Sequence, residues 1–200
     1  VRRKLLTLWN VYSFFVTNAN IDGFDPSKVS VPVAQRATLD RWILSRLQGL
    51  VRQARAGFDG YDVAPFTQAF ERFVDDDLST WYVRRSRRRF WKSEEDADKA
   101  SAYLTLYETL VTLAKLMAPI LPFLAEEIYQ NLVRSVDSPG DSSVHHCRFP
   151  EPDEALVDQQ LEREMGLVQK VVELGRAARS ASKVKVRQPL QAIKVATSER

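Results

Sequence analysis

Apolar residues recur at spacings of three and four along most of this chain, the pattern of amphipathic helices. Leu5, Leu8, Tyr12 and Phe15 predict a helix over roughly residues 3–18. Asp22-Gly23 and Asp25-Pro26 are breaker pairs and predict a loop over 20–30, which Pro32 extends. Thr38 can cap a second helix, with Asp40 in its first turn, where the helix dipole favours a carboxylate. Its stripe runs through Leu39, Ile43, Leu47, Leu50, Val51, Ala54 and Phe58, and Asp59-Gly60 should end it, glycine supplying a positive φ. A third helix should open at Tyr61 or Asp62, tolerate Pro65 in its first turn, and run to about Trp91. The acidic link at 93–98 leads into a fourth helix carrying Tyr103, Leu106, Leu110, Leu113 and Met117 on one face. Pro119 and Pro122 cannot both lie inside a helix, so a fifth begins at Pro122 and shows Phe123, Ile128 and Leu132. Residues 136–143 read as a loop, 144–149 as a short β-compatible stretch, and 157–182 as a sixth helix. Alternating and weak strand signals follow at 183–187 and 192–196. The expected fold is therefore all-α: a bundle of five or six helices with a small β-like appendage near the C-terminus. A domain over 1–182 and the start of a junction segment over 183–200 complete this expectation.

Two hundred residues with a 44% apolar content can bury a sizeable core. No apolar run approaches a membrane span of roughly 20 residues, and nothing resembles a secretory signal, so a cytoplasmic location is expected. The single cysteine, Cys147, excludes a disulfide framework and a cysteine-built zinc site within these residues. Val1 opens directly into a helical pattern without an initiator methionine, which suggests a fragment of a longer chain. The formal charge is only +3 but is segregated: 137–164 holds eight acidic and two basic residues, and 176–200 holds seven basic and one acidic. Such segregation suits a polyanion-facing side and also suits plain solvated faces.

The densest chemistry is WYVRRSRRRFWK at 81–92, five arginines between aromatics. On an ideal α-helical wheel the stripe of Phe66, Phe70, Phe73 and Val74 continues through Asp77, Trp81, Arg84, Arg88 and Trp91. That projection makes Trp81, Arg84, Arg88 and Trp91 structural support. It leaves Arg85, Arg87, Arg89 and Lys92 facing water or a ligand. Helical neighbours cannot neutralise the cluster, because Asp75, Asp76 and Asp77 reach only positions 78–81. Buried pairs with Glu126 or Glu127 are one outlet for Arg84 and Arg88. Phosphates are the sharper candidate for the flanks, since guanidinium offers a fixed fork of donors and aromatics can stack a splayed base. A second basic segment contains Arg176, Arg179, Lys183, Lys185 and Arg187.

Other constellations carry little. His145, His146 and Cys147 are adjacent rather than spaced as ligands, so no metal site is expected there. Glu126-Glu127 lacks a histidine or nucleophile, and no glycine-rich phosphate loop exists, so no catalytic residue is assigned. Trp9, Trp42, Phe123 and Tyr129 are assigned to the core or its rim. A helical protein-interaction bundle, with its arginines paired to acids, remains a rival to nucleic-acid binding at this level.

Five stretches add a more specific signal: LWNVYSFFV (8–16), LDRWILSRL (39–47), DLSTWYVRRSRRRFW (77–91), LMAPILPFLAEEIY (116–129) and KVRQPL (185–190). In this order they closely resemble the C-terminal region of isoleucyl-tRNA synthetases, class I enzymes whose leucyl, valyl and methionyl relatives share the general plan. The resemblance covers about residues 2–190. It implies the helical anticodon-binding domain that follows the catalytic Rossmann domain, with isoleucine tRNA and the catalytic domain of the same parent chain as partners. The family signatures H-I-G-H and K-M-S-K-S are absent from this chain, so the resemblance implies a fragment that binds tRNA without activating isoleucine. No cofactor is expected in the fragment, ATP and Mg belonging to the missing catalytic domain. Together with the wheel, the resemblance makes Arg85, Arg87, Arg89, Lys92, Arg179, Lys183, Lys185 and Arg187 the expected RNA-binding residues.

Overall fold

The computed structural model describes residues 2–92, 96–134 and 141–196. Contacts divide the chain into two compact units, Val1–Asp158 and Gln159–Arg200, so the predicted sixth helix opens the second unit instead of closing the first.

In the first unit, α1 (Arg2–Asp22) is longer at its C-terminal end than its stripe predicts. Gly23 ends it at φ 63°, and the Phe24 N–H donates to the Ala19 carbonyl at 2.9 Å, the six-to-one bond of a Schellman ending. Helix α2 (Thr38–Asp59) buries Trp42, Ile43, Leu47, Leu50, Val51 and Ala54, as its periodicity requires. Thr38 is its first residue rather than its cap; Ala37 holds the cap position. The left-handed residue after α2 is Tyr61 (φ 55°), whereas Gly60 has φ −89°. The glycine that this corner requires is Gly57. A Cβ there would stand 2.9 Å from the Asp62 carbonyl oxygen, whose residue donates its N–H back to the Gly57 carbonyl.

The third predicted helix is continuous but not uniformly α-helical. It comprises α3 (Ala64–Arg72), a π-helical segment (Phe73–Val83) and α4 (Arg84–Phe90). Asp96 then caps α5 (Ala97–Met117), accepting from the Lys99 N–H at 2.7 Å. Three residues of the predicted acidic link, 93–95, lie outside the described residues. The proline pair breaks the chain after Met117, and α6 (Pro122–Tyr129) follows, ending in a π turn over Gln130–Arg134. Phe123, expected on the apolar stripe of this helix, is 91% exposed, while Ala125, Ile128 and Tyr129 face inward.

The core lies between α1, α2, the π segment and α5, with α6 against α5. The expected β-like appendage is not observed: no strand occurs among the described residues, and Val144–His146 forms a 3-10 turn. Glu126 holds that turn, accepting from Ser143 Oγ and from the Val144 N–H at 2.9 and 3.0 Å, the latter a backbone donor that a strand would have used in a ladder. Most of the loop expected at 136–143 lies outside the described residues.

The second unit is α7 (Gln159–Ala181) and a returning tail. Lys183 turns the chain at φ 54°, and the Val184 N–H donates to the Arg179 carbonyl at 2.9 Å. Ile193 comes back beside Gly175, so the stretches read as weak strands instead fold along the helix as irregular chain.

Candidate nucleic-acid interface

From the π segment through α4, Val74, Leu78, Tyr82, Ser86 and Phe90 are buried at a constant interval of four, with Phe73, Asp77 and Val83 buried beside them. On an α-helix four residues overshoot a full turn by about 40°, so this series would drift by about 160° between Val74 and Phe90. The π segment absorbs most of that drift, because each i→i+5 bond takes one more residue into its turn. The α-helical wheel is therefore out of phase beyond it, and two sequence assignments are corrected.

Arg84, Arg88 and Trp91, expected on a core-facing line, are exposed, Trp91 by 62%. Arg89, expected to face a ligand, turns inward with its side chain 13% exposed. Arg89 donates from Nη1 and Nη2 to the two carboxylate oxygens of Asp40, both at 2.7 Å, and from Nη2 to the Asp98 carbonyl at 2.8 Å. Its Nε lies 2.9 Å from Asp98 Oδ1, close enough to pair electrostatically although the N–H is not aligned for a hydrogen bond. Tyr82 completes the site by donating its hydroxyl to Asp40 Oδ1 at 2.8 Å. Burial, then the Asp40 charge, push the Tyr82 hydroxyl pKa well above its ordinary value. For Arg89, burial works against the charge, but the Asp40 hydrogen bonds and charge prevail and raise its pKa.

This network anchors the inner side of α4. Phe90 adds to it, packing edge-on against Tyr103 and Phe14 with ring centroids 4.8 and 5.1 Å apart. The outer side then presents Arg84, Arg85, Arg87 and Arg88 to solvent. Arg85 lies over Trp81, its guanidinium carbon 3.6 Å from the ring centroid, and Arg87 reaches over Phe14 at 5.9 Å. Trp81 is thus half-buried beneath an arginine. Lys92 is exposed but pairs with Asp98 and Asp96 at 3.1 and 3.2 Å, and these carboxylates raise its pKa. Neither Glu126 nor Glu127 serves the arginines. Glu126 binds Gln130 and the 143–144 turn, and Glu127 accepts from Asn131.

In the second unit Lys183, Lys185 and Arg187 are exposed, whereas Arg179 is part of the scaffold. Its Nη1 donates to the carbonyls of Gln188 and Lys185 at 2.8 and 3.0 Å, fixing the loop that carries the other three.

The sequence reading missed Asp40, taken only as a first-turn acid. The available signal was its position: Asp40 precedes Ile43, Leu44 and Leu47 at helical spacing, and a carboxylate on a core face needs a buried partner. Among the described residues, no group of three His, Cys, Asp or Glu side chains could hold a metal ion. No described helix is long and apolar enough to cross a membrane.

A family model described as the anticodon-binding domain of tRNA ligase matches residues 40–194. The isoleucine–tRNA ligase of Dehalococcoides mccartyi strain CBDB1 is 56% identical over 197 residues, covering 98% of this chain and 19% of the relative. That of Thermus thermophilus is 52% identical over 190 residues, 95% of this chain and 18% of the relative. The Pyrococcus furiosus ligase is 43% identical over 199 residues, again 18% of its length. The chain therefore spans about a fifth of the length of the curated relatives it matches. With its helical bundle and outward-facing arginines, the chain belongs to the anticodon-binding domain family of tRNA ligases.

Proposed function

We propose that this chain binds the anticodon arm of isoleucine tRNA, within a parent ligase that attaches isoleucine using ATP and Mg in a separate catalytic domain in the cytoplasm. The carrying observation is the solvent face of α4, where Arg84, Arg85, Arg87 and Arg88 are held outward by a buried ion pair on the opposite side. Guanidinium groups in this arrangement suit phosphate oxygens, which position an RNA without reading its sequence. Lys183, Lys185 and Arg187 supply a second set of phosphate contacts, with Arg179 bracing their loop. Lys92 contributes less, being already neutralised by Asp96 and Asp98. Arg89 is assigned to the scaffold. Isoleucine as the cognate amino acid is supported by the identity to isoleucine–tRNA ligases over nearly the whole chain.

Binding to an isoleucine tRNA transcript tests the reading. Affinity should fall steeply between about 50 and 200 mM salt, as counterions released from phosphates oppose binding. Arg84→Ala with Arg88→Ala should weaken it at least about tenfold, the loss expected for a charge-assisted contact, with the melting temperature unchanged. Absence of binding, or an affinity indifferent to salt, would overturn the reading. Equal affinity for a valine tRNA would overturn the isoleucine assignment alone.

A further inference from the structure

Trp91 ends the exposed line Arg84–Arg88–Trp91, whose members are four and three residues apart and so share one helix face. Helix rise places Trp91 about 10 Å along the axis from Arg84 and about 4.5 Å from Arg88. The two tryptophans flanking the arginines differ in state. Trp81 is covered by the Arg85 guanidinium, whereas Trp91 is 62% exposed with no ring or cation stacked on it among the described residues. Its backbone is fixed, because its N–H donates to the Arg87 carbonyl at 3.2 Å and the preceding Phe90 is buried against Tyr103 and Phe14. The other strongly exposed aromatics, Tyr61 and Phe123, do not adjoin the arginine cluster in the chain. An indole that remains in water beside cations, on a rigid helix end, costs solvation without helping the core. It offers a π face where an unpaired base can lie while neighbouring arginines hold that nucleotide's phosphates.

We infer that Trp91 is a stacking platform for one unpaired RNA base, working with Arg84 and Arg88 as its phosphate clamps. The inference deepens and rests on the RNA-binding reading above, and it makes that face selective for loop over paired RNA.

Two RNA probes test it with the chain as it stands: an isoleucine-tRNA anticodon stem-loop, and a fully paired duplex of the same stem. Trp91→Ala should weaken stem-loop binding by about 5- to 150-fold, the loss of one stacked base, and leave duplex affinity unchanged. Trp91→Phe should recover most of the loss, and neither variant should shift the melting temperature. Parent-like stem-loop binding by Trp91→Ala, an equal loss on the duplex, or failure of Trp91→Phe to recover would overturn the stacking role while leaving RNA binding intact. Failure of the parent chain to bind either RNA would overturn both readings.

Discussion

Asp40 has no solvent-exposed surface, and Arg89 and Tyr82 together supply three hydrogen bonds to its carboxylate. Removing Arg89 leaves a buried carboxylate without its counter-ion, which costs about 3–5 kcal/mol. Chemical denaturation of Arg89→Ala should show that loss. A paired replacement of Arg89→Met with Asp40→Leu should lose less than the single variant, since neither charge is then stranded. An unchanged midpoint for Arg89→Ala would place the guanidinium in solvent. Asp25 behaves differently, because it is only half-buried. Hydrogen bonds from Lys28 and Ser27 lower its carboxyl pKa to about 2 from an ordinary value of 3.8. A carboxyl with a lowered folded-state pKa adds stability that is complete above the unfolded value and is lost as pH falls toward about 2. Asp25→Asn should therefore flatten the acid side of the stability profile between about pH 4 and 2, measured by thermal melts, with its loss relative to the parent fullest at neutral pH and vanishing as pH falls toward about 2. A parent-like acid slope in that variant would remove Asp25 from the account.

At the level of elements, the π segment decides which arginines reach solvent. Deleting exposed Thr80 while the helix returns to regular α geometry offsets about 100° of the drift between Val74 and Phe90, so α4 should keep nearly its present face. Phe90 and Ser86 should therefore stay in the core, and the cost, read from chemical denaturation, should stay below the about 3–5 kcal/mol of truncating one buried phenylalanine. A larger loss would mean that the widened turn cannot give up a residue. This element also marks where the sequence could be read and where it could not. Helices α1, α2, α5 and α7 follow from apolar spacing, and the break before α6 follows from Pro119 and Pro122, because these signals are local. The phase of α4 was not legible at about 3.6 residues per turn. The interval-of-four series from Val74 to Phe90 was present in the sequence, but it describes one face only once the chain is underwound, and tertiary packing selects that state. The stretch at 144–149 misled for a similar reason. Its first residue, Val144, gains its backbone partner from Glu126, distant in sequence, and the next turn closes on itself.

For the molecule as a whole, each unit carries its own set of exposed cations: the outer face of α4 in the first, and the 183–187 loop in the second. Segregated charge was visible in the sequence, and the family resemblance supplied a ligand for it. Neither could separate braces from contacts, since that depends on which guanidinium groups meet a carboxylate or carbonyl in three dimensions. Arg89 and Arg179 are such braces, Arg85 also donates to the Thr80 carbonyl at 3.4 Å, and the outward Arg84, Arg87 and Arg88 with the 183–187 cations are the candidates for phosphate. If both sets engage one RNA, their contributions to counterion release add. Each lost phosphate contact should then lower the slope of log affinity against log salt by about 0.7–0.9. Lys183→Gln with Lys185→Gln and Arg187→Gln should reduce the slope by about 2 to 3, and Arg84→Ala with Arg88→Ala by up to about 2. The five changes together should give the sum. Titrating isoleucine tRNA at several salt concentrations with each variant measures these slopes directly. A combined slope no smaller than that of either set alone would mean that the two basic regions compete for the same phosphates.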